Sequence, residues 1–203
     1  MRVDGVVVVK SRVKFPPLVL PVCLVGANVD GKANFEAIAW FTFLESQPLM
    51  VGVVSDKLHF MNRGIRENKC FSVNVPSVGL VEATDFCGLN SGREVDKSGV
   101  FSVFYRELED APMIVECPVC LECRLVRVVK FSRNELLVGE VAGVYVEESC
   151  LSDGKKKGDV GKVDPLLYEG GVPAYYWKLG EKVAKAFEVG KGYRLKKGLV
   201  EKA

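Results

Sequence analysis

The chain has 203 residues, of which 48% are hydrophobic and 27% are charged, and its formal net charge is +2. This length is enough for one full hydrophobic core, and the weak charge gives no argument for nucleic acid or a membrane as the main partner. No apolar run reaches the ~18–20 residues that span a bilayer, and the first residues lack the pattern of a signal peptide. Seven cysteines, an odd number, favour a reduced, cytoplasmic setting over a disulfide framework.

Short apolar runs bounded by turn signals predict a mainly β chain. In chain order, strands are predicted over residues 18–27, 33–44, 49–55, 71–75, 114–131 and 135–146. The Asp30-Gly31 pair predicts a hairpin turn after the first strand. Helical spacing predicts helices over residues 59–68, with Ile65 facing inward, and over residues 78–89. Consecutive hairpins with few, short helices favour a closed antiparallel barrel.

The end of the chain carries weaker patterns. Residues 153–159 are rich in lysine, glycine and aspartate and predict a solvated loop. The tail from residue 182 onward is basic and weakly apolar, as an arm or a frayed extension would be. We therefore predict one domain over residues 1–180 and a basic C-terminal extension over residues 181–203.

The first segment with chemical potential is 34–40, Asn-Phe-Glu-Ala-Ile-Ala-Trp. The small side chains of Ala37 and Ala39 would let a flat ring approach the backbone. Trp40 offers an aromatic face or an N–H donor. The alternative is a core strand with Trp40 buried, which composition alone favours.

A predicted strand ends and a helix begins in the second segment, 55–62. Helix N-termini bind phosphate through free N–H groups, and Ser55 could cap this helix, with Lys57 and His59 as further donors. His59 is the only histidine in the chain, which argues against a histidine-based metal site or a hydrolytic triad. A lone histidine is more often a surface or capping residue than a catalyst.

The third segment is the loop 87–97, Cys-Gly-Leu-Asn-Ser-Gly-Arg-Glu-Val-Asp-Lys. Its glycine and serine residues let backbone N–H groups face an anion, and Arg93 and Lys97 supply positive charge. A solvated turn is the alternative. Three phosphate-capable segments in one small β-rich chain favour the ligand-binding interpretation.

Cys117, Cys120 and Cys123 form a C-x-x-C-x-x-C string that is similar to an iron–sulfur run. In an extended strand, Cys117 and Cys123 would point to one face and Cys120 to the other, so the three could not meet at one cluster. Buried thiols are therefore the favoured interpretation, and no metal site is predicted.

The ordered set of motifs resembles the flavin reductase-like, FMN-binding split-barrel family, and within it the flavoredoxins. The resemblance runs from about Pro21 to Gly180, and its most specific piece is the segment 87–97. The other motifs that carry it are Pro21-Val22-Cys23-Leu24-Val25, Asp30-Gly31-Lys32-Ala33-Asn34, Ala39-Trp40-Phe41, His59-Phe60, residues 71–76, residues 111–118, Leu121-Glu122-Cys123, Asp164, Tyr168 and residues 176–181.

The resemblance implies a six-stranded antiparallel Greek-key split barrel with a few flanking helices, FMN as cofactor, and a flavin groove at a homodimer interface. It also implies three groups of FMN-binding residues. They are Asn34, Glu36, Ala37, Ile38, Ala39 and Trp40 along the ring and ribityl chain; Ser55, Lys57, Leu58, His59 and Met61 at the phosphate end; and Ser91, Gly92 and Lys97 as a second anchor.

Two positions depart from the family pattern. A threonine is usual where Met61 stands and frequent where Ala37 stands. Each lost hydroxyl removes a hydrogen bond worth ~0.5–1.5 kcal/mol net, so the expectation is either weaker FMN binding or a greater reliance on Lys57 and Lys97. Glu36 is an acid beside a dianionic cofactor, and it is expected to face solvent or the ribityl hydroxyls.

The implied activity is that of an NAD(P)H-dependent flavin or ferric reductase, or a flavoredoxin-type oxidoreductase, with hydride or electron transfer through flavin N5. The chain has no G-x-G-x-x-G dinucleotide-binding fingerprint, so NAD(P)H would dock on the open face of the flavin. Because the flavin carries the redox chemistry, no side chain is predicted to be catalytic. The alternative is an FMN electron carrier reduced by a partner protein. A third possibility is a metal-binding or structural barrel without flavin. Lys97→Ala is expected to reduce FMN retention more than Lys156→Ala.

Overall fold

The computed structural model describes residues 2–3, 6–7, 9–152 and 157–193. Most of its regular structure is antiparallel β. The strands are β1 (Arg2–Val3), β2 (Val6–Val7), β3 (Val19–Pro21), β4 (Cys23–Val29), β5 (Lys32–Ile38), β6 (Phe41–Ser46), β7 (Leu49–Asp56), β8 (Cys70–Val75), β9 (Val103–Phe104), β10 (Met113–Ile114), β11 (Val119–Lys130), β12 (Asn134–Val146), β13 (Leu151–Ser152), β14 (Lys157–Gly158), β15 (Leu167–Glu169) and β16 (Tyr175–Trp177). The helices are α1 (Met61–Asn68), α2 (Val81–Leu89) and α3 (Val160–Val163), with 3₁₀ turns at Val78–Leu80, Glu148–Cys150 and Val189–Gly192.

Seven strands form the main sheet in the order β5-β4-β8-β11-β12-β7-β6. Its two edge strands, β5 and β6, follow each other in the chain and are separated only by Ala39 and Trp40. Two residues cannot cross the width of a flat seven-stranded sheet, so the sheet curls until its edges meet. The backbone N–H of Val54 in β7 donates to the Trp40 carbonyl at 2.9 Å, which holds this corner closed.

The predicted antiparallel barrel is therefore confirmed, with one difference in strand count. The predicted strand 33–44 is interrupted at residues 39–40, where the chain turns from one edge of the sheet to the other. If β5 and β6 are taken as one bent strand, the barrel has the six strands that the sequence predicts. The hairpin turn at Asp30-Gly31 is also present, between β4 and β5.

The hydrophobic core has two parts because the strands alternate inward and outward. Phe71, Val73 and Ile65 belong to the cluster that α1 closes, and Ile65 is fully buried as predicted. Phe35 and Ile114 belong to the second cluster, where α2 and the segment after it cover the opposite face. Helix α2 thus packs against β5, the strand that carries the predicted ring-binding residues.

Several predicted boundaries shift. The predicted helix 59–68 begins at Met61, and residues 78–89 split into a 3₁₀ turn and α2. The predicted strand 114–131 begins at Val119, because residues 115–118 form a turn. Residues 153–156 of the predicted loop, Lys156 among them, and residues 194–203 of the predicted extension lie outside the described residues.

The cysteine string is a set of buried free thiols. Cys120 and Cys123 pack in opposite core clusters, as alternation predicts, but Cys117 lies in the turn before β11 and packs with Cys120. The expectation that Cys117 and Cys123 share a face is therefore wrong. Across the described residues, no three His, Cys, Asp or Glu side chains form a group that could hold a metal ion. None of the described helices is both long and apolar enough to cross a membrane.

Candidate functional site

A groove of about 870 Å³ lies between the corner of the barrel at Trp40 and a small sheet. The small sheet has the order β16-β15-β3. Such a volume is in the range of ~300–1,000 Å³ that is typical of small-molecule sites. The lining residues come from the N-terminal segment, β5, the turn after β7, α2, the β11–β12 turn and the small sheet: Lys14, Phe15, Pro16, Leu18, Leu20, Val22, Ala37, Ile38, Ala39, Trp40, Val54, Asp56, His59, Asp85, Gly88, Leu89, Arg133, Asn134, Tyr168, Gly170, Gly171 and Tyr176.

Small residues and free backbone form one wall of the groove. Strand β5 lies at an edge of the main sheet, so one row of its N–H and C=O groups has no partner strand in the described chain. The Phe35 carbonyl belongs to that row, because it accepts a hydrogen bond from Lys97 Nζ at 2.8 Å. Since these directions alternate along a strand, the polar groups of Ala37 also point away from β4. A Cβ on Gly88 would lie 3.3 Å from the Ala37 Cβ, so α2 approaches this wall closely.

Aromatic side chains form the other walls. The Trp40 side chain is 45% exposed, which overturns the alternative of a buried core tryptophan. Its ring centroid lies 6.4 Å from that of Phe15. Across the groove, the rings of Tyr168 and Tyr176 have centroids 5.8 Å apart. A flat, polarisable ring would find apolar faces on two sides of this space.

One end of the groove is polar and carries cationic groups. Arg133 Nε donates to Asp56 Oδ2 at 2.7 Å, and this hydrogen bond holds the pKa of Asp56 below its usual range. Lys57 Nζ lies in the same turn but donates to the carbonyls of Phe131 and Ser132. His59 lines the groove, and burial lowers the pKa of its imidazole.

The helix-capping prediction for Ser55 is wrong. Ser55 lies in β7, and the residue before α1 is Phe60, with no side-chain cap. The Ser55 hydroxyl instead donates to Asn62 Oδ1 at 2.9 Å. The backbone N–H groups of the turn 57–59 are also engaged, with Arg133 O, Asp56 Oδ1 and Asp56 O as acceptors. Positive charge for an anion at this end therefore comes from side chains rather than from the turn backbone.

Lys97 is 1% exposed and does not present its ammonium to an open site. Its Nζ donates to the carbonyls of Phe35 and Cys87, at 2.8 and 2.7 Å, and lies 3.4 Å from Glu36 Oε2. Lys97 therefore fastens the segment 91–97 and α2 to β5. The expectation that Glu36 faces solvent is wrong, because its side chain is buried between Lys97 and His59.

A second cavity of about 340 Å³ lies beneath the segment 91–97. It is lined by Asn34, Phe60, Gly92, Arg93 and Lys97, among others. The Asn34 Nδ2 atom is buried and has no hydrogen-bond partner among the described residues. A buried amide donor of this kind is costly unless a ligand or water accepts from it.

The predicted site residues thus divide by position. Those that line the groove are Ala37, Ile38, Ala39, Trp40 and His59. Those that line the second cavity are Asn34, Gly92 and Lys97. Glu36 and Ser55 are buried and lie next to His59. Leu58 is exposed, Lys57 binds the carbonyls of Phe131 and Ser132, and Ser91 is the residue before Gly92 in the chain. The Met61 side chain is fully buried in the core, so a contact of that side chain with a ligand is incompatible with this packing.

The sequence analysis did not assign Arg133, Asp85 or Tyr168 to the site. Arg133 lies between the strands predicted over residues 114–131 and 135–146, where the sequence carries no sign of a ligand. Asp85 shows no local signal, because its role depends on Tyr176, whose hydroxyl donates to Asp85 Oδ1 at 2.9 Å. On this side of the groove, the sequence analysis names only Tyr168 and residues 176–181, as motifs of the family resemblance and not as site residues.

Comparison with known proteins agrees with this geometry. The sequence pattern described as "Flavin reductase like domain" matches residues 17–175. A flavoredoxin from Methanosarcina acetivorans is 45% identical, with a TM-score of 0.84 over 91% of this chain and 97% of that one. Flavoredoxin of Desulfovibrio vulgaris (Miyazaki F) is 33% identical, with a TM-score of 0.82 over 91% of this chain and 100% of that one. An FMN-binding protein from Thermus thermophilus, solved with bound p-hydroxybenzaldehyde, is 25% identical, with a TM-score of 0.73 over 89% and 99% of the two chains.

The curled antiparallel barrel and the groove at its corner define a split-barrel protein. The chain belongs to the flavin reductase-like family, as the match over most of its length establishes. This confirms the resemblance that the motifs indicate.

Proposed function

We propose that the protein is an FMN-binding oxidoreductase of the flavoredoxin type. The observation that carries the proposal is the groove itself, which joins a wall of small residues, two aromatic walls and a cationic end in one space. Flavoredoxins and an FMN-binding protein of the same fold support FMN as the cofactor. When bound, FMN supplies the one- and two-electron chemistry that side chains cannot perform.

The residues of the groove have distinct tasks in this proposal. The outward backbone groups at Ala37 hydrogen-bond the polar edge of the ring, and Trp40 packs beside it. Arg133 and His59 lie at the end that receives the phosphate. Lys97 acts indirectly, because it fixes the position of β5. Asn34 offers a buried donor beside the segment 91–97.

We further propose that electrons arrive from NADH or NADPH. Gly170 and Gly171 line the groove without side chains, which leaves room for a second planar ring beside the first. The alternative is an electron carrier that a partner protein reduces. Trp40 and Trp177 are each about half exposed, which favours this second candidate, because exposed tryptophans offer contact area to another protein.

We also propose a homodimer. Leu89 lines the groove and is 77% exposed, although large apolar side chains beside a ligand are normally covered. A second copy would cover it and complete the groove. The domain is proposed to span residues 1–180, with an extension over 181–203, and seven free buried thiols support a cytoplasmic location.

The deciding experiment begins with purified protein incubated with FMN and passed through gel filtration. The expected result is a yellow dimer with one FMN per chain. Addition of NADH or NADPH without oxygen should bleach the flavin band. If only dithionite bleaches it, the electron-carrier alternative holds. A protein that stays colourless would contradict the proposed function itself.

A further inference from the structure

A chain of hydrogen bonds fixes the orientation of His59, the only histidine of the protein. Asn62 Nδ2 donates to the Asp56 carbonyl at 2.8 Å, so the oxygen of this amide faces the other way. Ser55 Oγ donates to that oxygen at 2.9 Å, and the Asp56 carbonyl, at 3.3 Å, is a more distant second acceptor. The hydroxyl hydrogen of Ser55 is thereby used.

His59 Nδ1 lies 3.0 Å from Ser55 Oγ. Because the Ser55 hydroxyl donates to Asn62, it can only accept from the imidazole. The neutral ring therefore carries its hydrogen on Nδ1 and leaves Nε2 as an unprotonated acceptor. A single amide, oriented by a backbone carbonyl, thus determines the tautomer of a groove residue.

Nε2 points toward the carboxyl group of Glu36, whose Oε1 lies 3.9 Å away. A movement of about 1 Å would bring the two atoms within hydrogen-bond distance. The Glu36 side chain is buried, and burial raises its pKa to about 7, although the Lys97 ammonium at 3.4 Å opposes this shift. An acid and a base thus face each other, and the acid is only partly protonated near neutral pH, so the pair can accept a further proton.

Among the described residues, four titratable or charged groups act on the pair: Lys97, Cys87, Asp56 and Arg133. Lys97 faces Glu36 from the segment 91–97. The Cys87 thiol of α2 lies near Lys97 and Glu36, and burial raises its pKa to about 11. Among the charged groups that act on His59, Asp56 raises the pKa of its imidazole, whereas Lys97 and Arg133 lower it. The His59 side chain is 31% exposed and lines the groove, so protons from solvent reach the pair there.

We propose that Glu36 and His59 form a proton-accepting pair that takes up one proton from solvent when FMN brings its negative charge into the groove. This inference rests on the proposed function and extends it to two residues that act together. The incoming proton resides on Glu36 Oε1 or His59 Nε2, no bond of the ligand changes, and water supplies the proton. The pair explains why an acid lies beside an anion site: in its protonated form it adds no negative charge.

Two measurements test the pair. In the protein without FMN, long-range ¹H–¹⁵N spectra of the single histidine should show the Nδ1–H tautomer at pH 8. The ring signals should also titrate with a step near pH 7 that disappears in Glu36→Gln. A dominant Nε2–H tautomer, or an unchanged step in Glu36→Gln, would overturn the inference whether or not FMN binds.

The second measurement is calorimetry of FMN binding at pH 7.5 in buffers of different ionisation enthalpy. Wild-type protein should take up a sizeable fraction of one proton per FMN, up to roughly one. Glu36→Gln and His59→Gln should each lose at least half of this uptake, whereas Glu67→Gln, at an exposed acid in α1 that lines neither cavity, should retain it. Equal uptake in all four proteins would refute the pair. Failure of wild-type protein to bind FMN would refute the proposed function instead, since the tautomer test stands without it.

Discussion

The hydroxyl of Tyr176 donates to Asp85 Oδ1 at 2.9 Å and ties the small sheet to α2 across the groove. Burial, together with this hydrogen bond, raises the pKa of Tyr176 above its usual range, so the hydroxyl stays protonated as a donor. Both residues line the groove. The width of the groove therefore depends on a contact between two elements that are 91 positions apart in the chain.

Tyr176→Phe should widen the groove and weaken FMN binding about 5- to 30-fold. A fully formed hydrogen bond to a charged acceptor contributes ~1.5–3 kcal/mol, and solvent around this hydrogen bond lowers its contribution below that range. Fluorescence titration with FMN measures the change. Tyr193→Phe, at an exposed tyrosine, should leave the affinity unchanged. Equal affinities of Tyr176→Phe and wild type would show that the contact does not shape the groove.

Gly92 allows the segment 91–97 to lie against β5. A Cβ at this position would overlap Asn34 Oδ1 and lie 2.8 Å from Phe60 Cδ1. Gly92→Ala should therefore lower the free energy of unfolding by ~1–3 kcal/mol, as overpacking does, and reduce FMN retention. Gly99→Ala is the matched control, because nothing lies within 4 Å of its Cβ. Urea denaturation that shows the same loss for both variants would argue against this close approach.

Arg133 is the cation of the groove whose effect should depend on the phosphate of the ligand. Its side chain is 83% exposed, so it can leave Asp56 and meet an anion. Arg133→Ala should weaken FMN binding several-fold and riboflavin binding much less. Arg127→Ala, an exposed arginine on the same hairpin, serves as the control. If Arg133→Ala weakened both ligands equally, the phosphate would lie elsewhere.

The barrel could be predicted from sequence because its signals are local. The Asp30-Gly31 turn and the alternating strands each depend on a few neighbouring residues. The break at Ala39 and Trp40 could not be predicted, because it depends on where the opposite edge of the sheet lies after the strands have paired. The apolar pattern of the sequence continues through Ala39 and Trp40, and neither residue is typical of a turn.

The site was only partly predictable for a similar reason. Ala37 and Trp40 lie on one strand, and small and aromatic residues in one segment suggest a ring site. Lys97 was interpreted as a phosphate ligand from its charge, its glycine- and serine-containing segment and the family resemblance. The carbonyls that bind its ammonium belong to Cys87, ten positions away, and to Phe35 in β5, and backbone acceptors leave no mark in a sequence.

The cysteines should behave as inert thiols. Burial raises the pKa of Cys23 and of Cys120 to about 12, and all seven cysteines are buried. Native protein at pH 8 should therefore react with less than about one equivalent of a thiol reagent, because the thiolate is the reactive form. Guanidinium should expose all seven. Rapid reaction of two or more thiols in the native protein would contradict this packing.

The contribution of Glu36 to the stability of the protein should fall as pH rises from about 5 to 7.5. Burial raises the folded-state pKa of Glu36 to about 7 from 4.5, so the folded protein binds a proton here that the unfolded chain releases. The stabilising contribution is complete below the pKa of Glu36 in the unfolded chain. It is lost as pH rises through the pKa of Glu36 in the folded protein, with a slope of up to ~1.4 kcal/mol per pH unit. His59 acts in the opposite direction below its ordinary pKa, since burial lowers its folded value.

Glu36→Gln separates these two contributions, because it keeps His59 and removes the acid. Urea denaturation of both proteins at intervals of half a pH unit gives the difference in unfolding free energy. That difference, wild type minus variant, should fall by an amount on the order of 1–3 kcal/mol between pH 5 and 7.5 and then level off. Asp56, whose pKa is lowered, affects stability only at more acidic pH and does not interfere. A difference that stays constant across this range would mean that the Glu36 carboxyl titrates as it would in water.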